Sequence, residues 1–145
     1  MVEINQRLER LLHDEKIAWL TTVRADGMPQ PTPIWFWWDG ATFLIWSQPQ
    51  AQKLRNIAQN PKVALNFNTD PTGEVFAVFM GEAHVDPNPA PPADRAAFLA
   101  KYADDIQMIG FTVERLNAEF STLIRMAPVR VRAQLEAPHE VSPQG

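Results

Sequence analysis

Cysteine is absent from the 145 residues, which removes disulfides, thiolate metal sites, cysteine nucleophiles and cysteine-held iron–sulfur clusters. The redox compartment stays open on this criterion. An excess of positive charge is also missing. Thirteen Lys and Arg stand against seventeen Asp and Glu, a net charge of −4, so a scaffold that holds nucleic acid through a strong global field is not expected. No stretch approaches the roughly 18 apolar residues of a membrane-spanning helix. The opening Met1-Val2-Glu3-Ile4-Asn5 has neither the basic nor the apolar region of a signal peptide. A cytoplasmic protein with neither nucleic acid nor membrane as partner is the expectation. An acid–base constellation is missing too. His13, His84 and His139 lack metal-ligand spacing, so no metal is expected. Asp104 and Asp105 are adjacent and face different directions, and Ser121 and Ser142 have no nucleophile-elbow context. No catalytic residue is identifiable from these features, as expected where a cofactor carries the hard chemistry and the fold supplies position and electrostatics. A simple binding module would look the same.

What is present suits a real core: 46% apolar and 21% charged residues, near the averages of globular domains. The length predicts one domain over residues 1–135. Residues 136–145, with Pro138, Pro143 and Gly145, read as a flexible tail. Two counts are high for the size, thirteen Pro and five Trp.

Ile4, Leu8, Leu11 and Leu12 recur at helical spacing and predict an amphipathic helix over 3–13. Three β-rich runs follow, Ile17 to Val23, Met28 to Trp38 and Thr42 to Ser47, separated by Asp26-Gly27 and Asp39-Gly40. Asp-Gly between such runs is a hairpin signal, because glycine accepts the positive φ of a tight turn. A three-stranded antiparallel meander is the expectation. Ala51, Leu54, Ile57 and Ala58 then make one helical face, stopped by Asn60-Pro61. A half-buried strand carries Val63, Leu65 and Phe67, a turn at Thr69 to Gly73 leads into a long strand over 74–85, and Pro87 to Pro92 form a connector. A helix over 93–106, a helical turn near 114–119 and a final β region over 121–134 complete the chain. Pro128 interrupts that last region and marks an edge, bulge or corner. The sum is a mainly β (α+β) protein: a six-stranded antiparallel barrel with a few peripheral helices.

Two stretches carry chemistry. Along the second strand Ile34, Phe36 and Trp38 point to one face, and Trp35 and Trp37 to the other. One aromatic face can be the core; the other needs covering by a helix, a flat ligand or a second subunit. In the stretch Trp46-Ser47-Gln48-Pro49-Gln50-Ala51-Gln52-Lys53-Leu54-Arg55 a strand ends and a helix begins near a hydroxyl and a lysine. Such a start can hold a phosphate. Lys53 and Arg55 are two apart and lie on roughly opposite sides of a regular helix, so Lys53 is the stronger candidate.

These stretches, with Ile17 to Val23, Asp26 to Phe36, Asn60-Pro61-Lys62-Val63-Ala64-Leu65 and Gly81-Glu82-Ala83, occur in an order that resembles the pyridoxamine 5′-phosphate oxidase-like split-barrel superfamily, covering residues 5–130. More narrowly they are similar to its branch of small deazaflavin (coenzyme F420)-dependent reductases. The resemblance implies a six-stranded split β-barrel, a homodimer with F420 or FMN at the subunit interface, and hydride transfer to a small conjugated acceptor molecule. It places Pro33, Ile34 and Trp35 along the tricyclic ring, Trp46 and Ser47 beside the ribityl–phosphate part, and Lys53, with Arg55, at the phosphate. A non-catalytic carrier of FMN, haem or another flat ligand on the same fold is the alternative. The chain departs from true pyridoxamine-phosphate oxidases in two places. No tryptophan follows Trp46, the end reading Ile124-Arg125-Met126-Ala127-Pro128, which argues against vitamin B6 oxidation. Where those oxidases carry a flavin-reaching glutamine, this chain has Phe76.

Overall fold

The computed structural model describes residues 2–137; most of the expected tail, including His139, Ser142 and the prolines at 138 and 143, lies outside the described residues. Helix α1 (Gln6–Asp14) starts where Asn5 caps it, the Asn5 side-chain oxygen accepting from the Leu8 N–H at 2.9 Å. Its buried stripe is Leu8 and Leu12. Strands β1 (Ala18–Val23) and β2 (Pro29–Ile34) form the first hairpin, turned by Gly27 at φ 87°. Pro29, Pro31 and Pro33 alternate along β2, so their missing donors all lie on one side of the strand. That side is the sheet edge.

The run expected as one strand from Met28 to Trp38 is in fact two. It breaks at Trp35 and Phe36, and resumes as β3 (Trp37–Trp38), which pairs with β4 (Phe43–Ser47). The sheet therefore has seven strands rather than six, in the order β2-β1-β5-β6-β7-β4-β3, with β5 (Lys62–Phe67), β6 (Phe76–Asp86) and β7 (Thr122–Gln134) at its centre. No three-stranded meander forms: β2 and β3, neighbours in sequence, sit at opposite ends of the strand order. Two residues of chain join those ends, so the antiparallel sheet curls on itself into a split barrel. The alternation read from the sequence survives the break. Ile34, Phe36 and Trp38 are buried in the barrel core with Phe43, Ile45, Leu65, Phe67, Phe79, Ile124 and Met126.

At Phe36 the ladder is replaced by a side chain. The Phe36 N–H donates to the Tyr102 hydroxyl at 3.0 Å, and that hydroxyl lies 2.7 Å from the Lys16 carbonyl. An unpaired buried N–H is costly, and Tyr102, fully buried, removes that cost. Tyr102 also divides the helix expected over 93–106 into α3 (Pro92–Lys101) and α4 (Ala103–Met108). Helix α5 (Val113–Glu119) follows, capped by the Thr112 hydroxyl, which accepts from the Arg115 N–H. The interruption expected at Pro128 is a bulge: Met80 pairs with Arg130 and Gly81 with Pro128, leaving Val129 unpaired in register. Gly81 is required there, because a Cβ would sit 2.0 Å from the Ala127 carbonyl oxygen.

Helix α2 (Gln52–Gln59) departs from the expected face: Ala58 is exposed and Asn56 is buried. The Asn56 amide donates to Thr22 Oγ1 and Gln30 Oε1, each at 2.9 Å, and its oxygen accepts from the Gln52 side chain at 2.9 Å. A polar residue is buried because three partners satisfy it. This knot holds the start of α2 against the β1–β2 hairpin.

Candidate functional site

Strand alternation turns Trp35 and Trp37 outward from the barrel, and Trp46 of β4 faces the same way. Helices α3 to α5 of the same chain cover them, so of the three coverings open from sequence the structure uses a helix. Trp35 stacks on Tyr102 with ring centres 4.6 Å apart and planes 8° from parallel. Trp46 packs on Phe98 at 4.5 Å. The Trp37 indole N–H donates to Asp94 at 3.1 Å. Phe98, Tyr102, Ile106 and Leu116 form a second core with these tryptophans, distinct from the barrel interior.

The second core does not fill its space. A cavity of about 320 Å³ opens between it and the barrel wall, lined on one side by Pro33, Ile34, Trp35, Trp46 and Lys53, and on the other chiefly by Phe98, Leu116 and Phe120. That volume suits a small-molecule site, for which about 300–1,000 Å³ is usual. Among the described residues Lys53 is the one titratable side chain on its wall. Burial lowers the Lys53 pKa from its ordinary value, and among the described residues no carboxylate pairs with it. It stands in the first turn of α2, which no side chain caps. A half-buried cation without a counter-ion favours an anionic ligand group.

Five of the seven residues expected at the site thus share one cavity. Ser47 and Arg55 do not line it. Ser47 is buried on the barrel side of β4, where its hydroxyl donates to the Gln48 carbonyl at 2.9 Å. The Arg55 guanidinium is exposed and donates to the Gln50 carbonyl and the Gln52 side chain. Being two residues from Lys53 on a regular helix, it turns away. The far wall escaped the sequence reading, because α3 to α5 read as plain packing helices. The signal available was Phe98 and Tyr102 at i and i+4, an aromatic pair on one helix face matching the uncovered tryptophans.

A second cavity, of about 570 Å³, lies beyond Trp46 and Phe120, which line both, and is bordered by residues 85–90, Arg95, Asn117 and residues 121–123. Of its lining residues, Asp86 accepts from Arg125 at 2.7 Å, and Arg125 also donates to Asp39 at 3.3 Å. Backbone donation from Asn88, then Arg125, holds the Asp86 carboxyl below its ordinary value.

With this geometry in hand, the chain matches the model of the pyridoxamine 5′-phosphate oxidase family over residues 4–134. It belongs to that family. Among solved structures it is similar to an F420 reductase, at 27% identity over 90% of this chain and 100% of the other, with a TM-score of 0.69. The fold is also that of the haem storage protein HutZ of Vibrio cholerae (17% identity, 91% of this chain, 95% of the other, TM-score 0.67). An FAD-binding protein of Mesorhizobium loti shares it too (14%, 86%, 87%, 0.60). A comparison with curated proteins finds no match. Among the described residues no helix is long and apolar enough to cross a membrane.

Proposed function

We propose that the chain is a flavin- or deazaflavin-dependent oxidoreductase, with F420 or FMN in the Trp35–Lys53 cavity and a small conjugated molecule as hydride acceptor. The observation that carries this is the composition of one cavity: aromatic and apolar walls with, among the described residues, a single unpaired cation, Lys53. Trp35, Ile34 and Trp46 offer a slot for a planar ring and exclude water from it; Lys53 neutralises a phosphate. The bound cofactor supplies the hydride chemistry, which accounts for a wall with no general acid or base. Similarity to an F420 reductase at 27% identity supports the deazaflavin. The absence of a tryptophan after Trp46 argues against pyridoxamine-phosphate oxidation. The proposal includes a homodimer in the cytoplasm, joined through the outer sheet face where Val129 is 71% exposed. With the tryptophan face covered by α3 to α5, that outer face is the better candidate, and light scattering checks it: a monomer at micromolar concentration removes the dimer from the proposal.

A carrier of a flat ligand is the second reading, favoured by the same lack of an acid or base. Haem is its weakest form, since none of the described cavity residues is a His, Met or Tyr able to ligate iron. Titration of the purified protein with FMN and with F420, followed by absorbance, tests the site. Lys53→Ala should weaken binding of the accepted cofactor by about 1–3 kcal/mol, the range for a hydrogen bond to a charged group. Unchanged titrations with both cofactors would refute the phosphate role. The reduced cofactor is then mixed with quinones, enones and nitroaromatics. Reoxidation no faster with protein than without it favours the carrier.

A further inference from the structure

Arg95, in the first turn of α3, points into the space between that helix and β4. Its guanidinium lies over the Trp46 ring, 4.7 Å from the ring centre, and 5.3 Å from the centre of Phe98. One terminal nitrogen, Nη2, donates to the Asn117 side chain. The other, Nη1, is buried and has no hydrogen-bond partner. Among the described residues no carboxylate pairs with Arg95, and burial lowers its pKa from the ordinary value. Arg125 is different: it pairs with two aspartates. A buried donor left unpaired costs about 1–3 kcal/mol, and more on a charged group.

We infer that the cavity beyond Trp46 is a binding site for a small aromatic carboxylate, whose anion pairs with the Arg95 cation on its wall. The chemistry follows from the lining. A guanidinium presents a planar donor fork that matches a carboxylate, and Asn88, Asn117, Ser121 and Thr122 add neutral polar groups around it. Asp86 borders the same space, so a monoanion is accepted where a dianionic phosphate meets repulsion. Trp46 and Phe120 supply the apolar side for the ring and separate this cavity from the Lys53 cavity. The site is independent of the cofactor reading: it uses a different cation and is measured with no flavin present.

Calorimetric titration of the full-length protein with 2-naphthoate, 2-naphthol and inorganic phosphate tests it. The expected result is saturable binding of 2-naphthoate, at least tenfold weaker binding of 2-naphthol and of phosphate, and a loss of tenfold or more in naphthoate affinity for Arg95→Gln with naphthol unchanged. Arg95→Lys should fall between, keeping the charge and losing the fork. Should Arg95→Gln not fold, Arg95→Lys gives the answer: naphthoate affinity falls while naphthol affinity is unchanged, and naphthoate affinity equal to wild type overturns the inference. Equal affinity of wild type and Arg95→Gln for naphthoate, equal affinity for naphthoate and naphthol, or no binding at millimolar concentration overturns the inference. None of these outcomes bears on whether FMN or F420 binds at Lys53.

Discussion

Inside the barrel, Phe36, Phe43, Phe67 and Phe79 meet edge to face with ring centres between 5.1 and 6.1 Å apart, all nearly or fully buried. On the outer side of the same wall, Trp35, Trp37 and Trp46 are half-buried under three short helices, and space remains. The chemistry of the two regions is alike, since aromatic side chains make both. The packing differs because strands of one curled sheet converge from all sides on the barrel axis and interdigitate, whereas α3, α4 and α5 cover a convex surface from one side. Ten-, six- and seven-residue helices linked by turns leave gaps between them. Close packing yields stability; the gap yields a site.

The sharpest way to separate the regions is to strike the barrel first. Gly81→Ala places a methyl against the Ala127 carbonyl at the β6–β7 bulge, and overpacking against backbone costs about 3 kcal/mol or more. Urea denaturation should show that loss as one global transition. A variant as stable as wild type would mean that the bulge relaxes freely and that the barrel is no stiffer than its helical cover.

Tyr102→Phe strikes the junction. It leaves the ring on Trp35 and removes the hydroxyl that accepts from Phe36 and donates at Lys16, at a cost of about 1–3 kcal/mol. Hydrogen exchange should then quicken in α3 and α4 before β4 to β7. Uniform quickening of both regions would show that helices and barrel open as one unit. Burial raises the Tyr102 pKa, so its hydroxyl stays protonated and the bond persists across neutral pH.

The smallest effect is expected at Lys101, the last residue of α3, whose ammonium sits 3.8 Å from the Phe36 ring centre and 3.2 Å from the Leu12 carbonyl oxygen. Burial lowers its pKa to about 8 from an ordinary 10.5. Between those values the unfolded chain binds more protons than the folded one, so this residue adds stability as pH rises through the window. Its penalty is full below pH 8 and gone above 10.5. Lys101→Met should remove that slope. The difference in urea midpoint between wild type and variant, taken at pH 7.5 and pH 10, checks it; a difference independent of pH would place the ammonium in solvent.

Much of this was legible in the sequence for a local reason. Alternation along 34–38, the Asp-Gly turns and the proline at 128 act over a few residues, and they placed the inward and outward faces, the two hairpin turns and an irregularity at 128, but neither the break in the second run nor the strand order. The polar strand-to-helix stretch singled out Lys53 because a helix start and a cation are neighbours in the chain, and Lys53 lies on the cavity wall. What the sequence could not decide depends on partners far apart along it. The break at Trp35 and Phe36 depends on a hydroxyl 66 residues away, and the burial of Asn56 on Thr22 and Gln30. Arg95 becomes unusual only when α3 carries it over Trp46 and leaves one nitrogen without a partner. Local pattern determined which residues face in and which face out; only tertiary packing decided where the outward faces fail to close, and there the ligand-sized space lies.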